Sequence, residues 1–536
     1  MALRNRWLSE LALFAALAAL HTWPLATDPA HWSRLDNADT ALNTWIVAWV
    51  AHQLPRDPTS LFDAPIFHPS PDTLAFSEHM LVPSLLGAPL LWAGLSPVLV
   101  YNLLVWAGLA LSGFTMCAVV RRWTGSGTAG IVAGCLYAFN AHLLTRYPHL
   151  QALHIEFLPI VLYAFDRLLR GDDRAAVVLG AAFVLQALCS NYTLVLMIAA
   201  LASAFLVRPE PWRRDALALW RRLAMTGAVA TMLLSPFLLP YDRVRTEQGL
   251  VRSINDVRLY SAGWLDYLVT PGNLHYRAWS HRYFEGRTAL FPGILAAALA
   301  GGCVATGWAW RDLRARMALA FGALGFALSF GAALPGYAFL HEHIPLLQGV
   351  RGAARWGFLS LIAIAILAGF AAARLEAAWK TRSWWRATSL ALVALVTLEA
   401  LRAPLPMVRF DGIASVHRRL TGTDVHAVLV LPLFAGGDFH RNAPYLLDQT
   451  RHWRPMINGY SGWAPESFNS RAAILQTFPS NQSVDLLRSL DVSHVVLHRR
   501  LLERGQVNLD LTALRLDPRF EFVVEDEGVI VYRIRK

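Results

Sequence analysis

The chain has 536 residues, 55% hydrophobic and 16% charged, with a formal net charge of +11. Its apolar residues fall in runs as long as a bilayer is thick, about 17 to 25 residues each, which excludes a soluble globular enzyme and points to a polytopic membrane protein. The basic excess sits in short arginine tracts between the runs, so it reads as topology and not as a nucleic-acid surface, and the four cysteines, Cys117, Cys135, Cys189 and Cys303, lie inside the runs, which excludes a disulfide scaffold or a zinc-finger spacing.

The first run, 8–25, follows Arg4 and Arg6 like a signal peptide but has no small-x-small cleavage site, and it is read as a retained first helix. Further spans are predicted at 97–120, 126–142, 150–169, 174–190, 191–207, 218–239, 289–309, 315–333, 355–374 and 385–401. That makes about eleven. The segment 80–95, interrupted by Pro83 and Pro89, reads as re-entrant or as one more span. With the N-terminus in the cytoplasm, every basic tract falls on that side, and the loops 26–79, 241–288 and 334–354 face outward with everything after residue 402.

Beyond Pro404 and Pro406 the pattern changes. HAVLVLPL (426–433), VSHVVLH (492–498), FEFVVED (520–526) and GVIVYRI (528–534) read as strands, the last two joined by a tight turn. PESFNSRAAILQTF and SVDLLRSL between them read as amphipathic helices. The predicted division is therefore a membrane domain, 1–401, carrying the large external loop 26–79, and an extracytoplasmic α/β domain, 402–536.

The stretch LDNADTALNTWIVAWVAHQL (35–54) places Asp36, Asp39 and Asn43 on one helical face, with Leu42, Ile46 and Trp49 as an apolar stripe. It reads as an interfacial helix at headgroup height. Asp36 suits a helix cap and Asp39 a first-turn position favoured by the macrodipole; the sharper reading makes the carboxylate a general base over a membrane-level cavity. Arg351 and Arg355, four residues apart at the external mouth of the span 355–374, read as a phosphate clamp on one helical face, against snorkelling or pairing with Glu342. Glu78 and His79 in SEH could position an acceptor or a metal, or follow a Ser77 cap.

His149, His154 and Glu156 open the span 150–169, where ionisable groups are costly and usually face a cavity. A divalent metal there competes with imidazoles bonded to loop carbonyls. The His341-Glu342-His343 triplet reads as solvated loop, Tyr283, Glu285 and Arg287 as possible gates, and Trp45, Trp49, Trp264 and Trp279 as an interfacial belt before sugar platforms. In YLLDQTRHWRPMINGYSGW, the group His452, Trp453, Arg454, Asn458 and Tyr460 suits acceptor recognition or a lid as well as it suits a structural loop.

Together DTALNTWIVAW, IFHPSPDTLAFSEHML, YPHLQALHIEFLP, ALFPG, GVRGAARWGFLSL and RPMINGYSGW resemble the GT-C superfamily of integral-membrane glycosyltransferases, in a bacterial branch that includes YfhO-like proteins. The resemblance covers most of the chain loosely, as an ensemble and not through one signature. It implies an essential Asp in the first external loop, best matched by Asp39 and next by Asp36, and a polyprenyl-phosphate-linked sugar as donor, with a glycan, lipid or protein as acceptor. A bacterial inner-membrane location and an inverting transfer follow, with no certain cofactor beyond a possible divalent metal. The rival readings are a transporter or flippase of lipid-linked sugars, which should spread charge along both halves of its spans, and a non-catalytic assembly protein.

Overall fold

The computed structural model describes residues 2–250, 253–502 and 509–535. Helices form where the apolar runs predict them: Ala2–His21, Pro97–Thr124, Gly127–Ala138, Ala175–Cys189, Asn191–Leu206, Leu217–Glu247, Ile294–Ala305, Leu313–Ser329, Gly357–Trp379 and Trp385–Ala400. Among the described residues, four stretches, Pro97–Thr124, Gly127–Thr145, Leu217–Glu247 and Ala353–Trp379, are long and apolar enough to cross a membrane, and several shorter apolar helices accompany them. The break between Cys189 and Asn191 is a capped helix start, because the Ser190 side chain accepts the Thr193 N–H.

The chain divides into two compact units that interleave in sequence. The first takes Met1–Asp28, Leu103–Pro236 and Val251–Pro406; the second takes Pro29–Asn102, Phe237–Leu250 and Met407–Lys536. A linear division at 401/402 therefore differs from the compact units: 29–102 groups with the C-terminal segment.

Within the first unit, Leu313–Ser329 packs closely on Gly357–Trp379. A Cβ at Gly322 would lie 2.5 Å from the Ala363 Cβ, and one at Gly325 would lie 2.6 Å from the Leu359 Cβ, so only glycine permits this backbone approach. Several arginines of the basic tracts have acidic partners: fully buried Arg208 pairs with Asp166 (2.6 Å) and Glu210 (2.7 Å), and Arg121 with Glu10. Such pairing satisfies charges that a dry helix end would otherwise leave costly.

Within the second unit, β1 (Trp32–Ser33) pairs antiparallel with β2 (Val408–Arg409). A four-stranded sheet is built from β3 (Ala427–Leu431), β4 (Val492–His498), β5 (Phe520–Asp526) and β6 (Val529–Ile534), in the order β3-β4-β6-β5. The β3/β4 pair is parallel and the others antiparallel. The predicted tight turn between the last two strands carries positive φ at Glu527 (52°) and Gly528 (79°), the conformation a two-residue hairpin loop requires. Helices Glu466–Leu475 and Asn481–Ser489 lie where their amphipathic patterns predict.

The edge of β3 is closed by the segment 455–458. Val428 N–H donates to Pro455 O (2.9 Å) and Ile457 N–H to Val428 O (3.0 Å), and the Asn458 amide both accepts from Val430 N–H and donates to Val430 O (2.8 Å each). A side chain thus substitutes for the neighbouring strand and removes an exposed edge.

The stretch 35–54 departs from its expectation. Its helix, Ala38–Gln53, is buried from Thr40 to Ala51 on every face and is not interfacial. Two of its polar side chains bond the preceding turn of their own helix, Thr44 Oγ1 donating to Thr40 O (2.7 Å) and Asn43 Nδ2 to Asp39 O (2.6 Å), while Trp45 Nε1 donates to Gln449 Oε1 (2.9 Å). Trp45 and Trp49, expected in a belt, are core residues here.

Candidate functional site around Asp39 and Tyr460

The Ala38–Gln53 helix is capped by Asn37, whose side chain accepts the Asp39 N–H (2.9 Å), so Asp36 is not the cap. Asp36 turns outward and receives two bonds from Arg34, at 2.9 and 3.1 Å. Such an exposed pair contributes little. Asp39 lies half-buried in the first turn, where the helix dipole favours its negative charge.

Its Oδ1 accepts a hydrogen bond from the Tyr460 hydroxyl at 2.8 Å, across 421 residues of sequence. The phenol is held from both ends of its loop. Its ring packs with Leu35, Ala38 and Phe410 against Ala41, Ala443 and Leu447. The preceding residues are fixed by the Asn458 clamp and by Gly459, where a Cβ would come within 2.7 Å of the Phe67 ring. The Asp39 carboxylate is thus met by a phenol two residues beyond the segment that closes β3.

Glu78 and His79 are both buried. The Tyr241 hydroxyl lies 3.0 Å from both His79 N and His79 Nδ1, and the ring stacks on Phe237 at 5.7 Å between centroids. Ser77 does not cap the helix Leu81–Trp92; Met80 occupies that position with a left-handed backbone and no side-chain bond. Tyr241 is one of several partners that sequence reading missed, as is Arg243, which clamps Asp72 through bonds of 2.9 and 2.6 Å.

In the first unit the predicted span 150–169 is broken into Leu150–Leu153 and Phe157–Leu169. Gln186 fills the break, accepting from Phe157 N and Leu158 N (3.1 Å each) and donating to His154 O (2.9 Å). Inside it the fully buried His154 has Nδ1 at 3.0 Å from Glu156 Oε1 and Nε2 at 3.0 Å from Leu104 O. Both ring nitrogens thus have protein partners. His149 stands just before the first short helix and makes no side-chain cap there.

Arg351 and Arg355 do not share an α-helical face. Arg351 precedes, and Arg355 lies within, the 3-10 turn Ala353–Trp356; the α-helix begins only at Gly357. Each guanidinium instead lies over an aromatic ring, Arg351 at 4.6 Å from the Tyr260 centroid and Arg355 at 3.9 Å from that of Tyr192. Among the described residues neither forms an ion pair with Glu342 or another carboxylate; each guanidinium faces its ring. Of the remaining candidates, Arg287 pairs with Asp266 (3.4 Å) and His343 bonds its own helix at Phe339 O (2.9 Å). Trp279 donates to Leu268 O, while Trp264 stays exposed.

Comparison with protein-family models gives no match, and comparison with curated protein sequences gives none. Among solved structures, the chain is similar to the archaeal oligosaccharyltransferase AglB from Archaeoglobus fulgidus, solved with an inhibitory peptide and a dolichol-phosphate. Identity there is 13%, over 99% of this chain and 74% of that one, with a TM-score of 0.54. It is also similar to the arabinofuranosyltransferase AftD from Mycobacteria, at 17% identity and a TM-score of 0.56, over 99% of this chain but 41% of that one. At these identities the likeness is one of fold. The class of fold so defined is one built largely from helices, shared with both of these proteins. Within it the chain has the GT-C fold, as its sequence segments imply.

Proposed function

We propose that the chain is a membrane glycosyltransferase that moves a sugar from a polyprenyl-phosphate donor to a glycan, lipid or protein acceptor outside the cytoplasm. The observation that carries the reading is the Asp39 carboxylate, aimed by Tyr460 at 2.8 Å in a chain of GT-C fold. The dolichol-phosphate bound by AglB supports a lipid-phosphate donor.

In this reading Asp39 takes the proton from the acceptor's attacking group as that atom bonds to the sugar's anomeric carbon. The bond from that carbon to the phosphate oxygen breaks, and the electron pair leaves with the lipid phosphate. Attack from the face opposite the leaving group inverts the anomeric centre. Arg351 and Arg355 neutralise the departing phosphate, a role supported by guanidiniums that have aromatic neighbours and no carboxylate. Glu78 and His79 serve acceptor binding, Tyr460 lines the cavity by holding Asp39, His149 shapes a cavity wall, and His154 with Glu156 props the helix break.

The test is transfer by purified protein in detergent, with polyprenyl-phosphate sugars as donors and surface-glycan fragments as acceptors, followed by mass spectrometry. Asp39→Asn should lose about 10²- to 10⁴-fold in rate, the usual worth of a general base. Undiminished transfer by that variant would overturn the assignment of the base. Movement of intact lipid-linked sugar across vesicles without transfer would favour the flippase.

A further inference from the structure

We propose that His417, Asp448 and His498, in the second unit, form a binding site for one divalent transition-metal ion, zinc before others. Three segments remote in sequence bring them together: the 3-10 stretch Ser415–Thr421, the helix Ala443–Gln449, and the last residue of β4. Asp448 Oδ2 lies 3.6 Å from His417 Nε2 and 3.7 Å from His498 Nε2, and one donor atom from each residue falls within 4.8 Å of the others. These separations exceed a hydrogen bond. The two carboxylate–imidazole separations are close to those around a single ion, since donors about 2.1 Å from zinc stand about 3.4 Å apart at the tetrahedral angle and about 3.6 Å at 120°.

The unmet polar groups point the same way. Both ring nitrogens of His417 and the Nε2 of His498 are buried and have no hydrogen-bond partner among the described residues. The half-buried Asp448 carboxylate faces these two lone pairs at 3.6 and 3.7 Å and accepts no hydrogen bond among the described residues.

The surroundings hold this geometry. The Tyr445 ring stacks on His498 at 4.9 Å and its hydroxyl donates to Pro432 O (3.0 Å). Arg454 bonds the carbonyls of Thr421 and Gly422 (2.8 Å each), fixing the end of the segment that carries His417. His452 lies parallel to His417 at 6.2 Å, but its Nδ1 accepts the Arg454 N–H (3.0 Å), so a neutral ring carries its proton on Nε2 and offers no second lone pair. His417 is almost fully buried, whereas Asp448 and His498 keep 20% and 18% of their side chains exposed, which gives an entry path and leaves a fourth position for water. Two imidazoles and one carboxylate form a donor set suited to zinc. The ion would tie β4 to the two preceding segments, a role separate from Asp39.

The full-length untagged protein in detergent is stripped with a chelator, reloaded with zinc chloride, desalted and analysed by elemental mass spectrometry. Wild type should retain about one zinc per chain, and Asp448→Asn and His498→Gln should each lose at least about tenfold in affinity. Because a buried substitution can disturb folding, wild type is also loaded with cobalt(II), where intense visible d–d bands mark a four-coordinate site and weak ones a six-coordinate surface ion. Zinc retention unchanged in the folded variants, no zinc on wild type, or only weak cobalt bands would each overturn the proposal. All three readouts are independent of sugar transfer, so they fail or succeed separately from the catalytic reading.

Discussion

Replacing Tyr460 by Phe removes one hydroxyl and little else, because the ring stays packed against Ala41 and Leu447. The bond lost is a phenol donating to a carboxylate at 2.8 Å. Hydrogen bonds to charged groups contribute about 1.5–3 kcal/mol, and Asp39 is only half-buried, so the lower end, about 1.5 kcal/mol, applies. Losing the donor removes one of the contacts that orient the carboxylate toward the acceptor. A net fall of about 5- to 15-fold in kcat, with KM for the donor nearly constant, is expected from roughly 1–1.5 kcal/mol. The assay is a double-mutant cycle with Asp39→Asn. If the phenol acts only by aiming that carboxylate, Tyr460→Phe costs nothing further once Asp39 is Asn. A full additional tenfold loss in the double variant, or no loss in the single one, would refute the reasoning.

Arg351→Ala and Arg355→Ala should each weaken donor turnover by at least about tenfold through lost phosphate stabilisation, with Lys restoring charge but not the fork; equal activity of the Ala and wild-type forms would remove the clamp. Asp36→Asn should change the rate less than about twofold, since it breaks only an exposed pair with Arg34. Asn458→Ala leaves the Val430 N–H and C=O unpaired on the β3 edge, and should lower the melting temperature of the protein in detergent by several degrees, for a cost of about 2–4 kcal/mol. His52 stacks on Trp453 at 4.6 Å, and desolvation then Arg56 lower its pKa to about 4. The folded state therefore resists a proton that the unfolded chain accepts, so this contribution is full above about pH 6.5 and falls as pH drops toward 4. His52→Phe should flatten the acid side of a melting-temperature profile over that window; an unchanged slope would count against it.

Helices and strands were legible because they follow from patterns within a few residues: apolar run length, period-two alternation, and a hairpin turn with glycine at its second position. Even the break at Ser190 could be read from a residue suited to capping. What escaped is what depends on remote partners. Gln186 sits inside an apolar helix, and nothing in its neighbourhood announces that it plugs the break near His154. The tilt of 35–54 toward an interfacial helix failed because Asn43 and Thr44 are buried while bonding their own backbone, which periodicity does not register. Asp39 and Tyr460 were each visible as candidates in their segments, but their bond was not, because no local signal links positions 421 residues apart. The His417, Asp448 and His498 group had no signature either, since its spacing matches no compact metal motif.

The most direct test removes the gene from its host and restores either wild type or Asp39→Asn at matched abundance, then measures surface glycans and polyprenyl-phosphate sugars by mass spectrometry. Loss of one sugar from the glycan, with its lipid carrier accumulating in the Asp39→Asn strain, is the result the transferase account predicts. Identical profiles from the two restored strains would contradict it and leave Asp39 as a first-turn helix residue with no part in transfer.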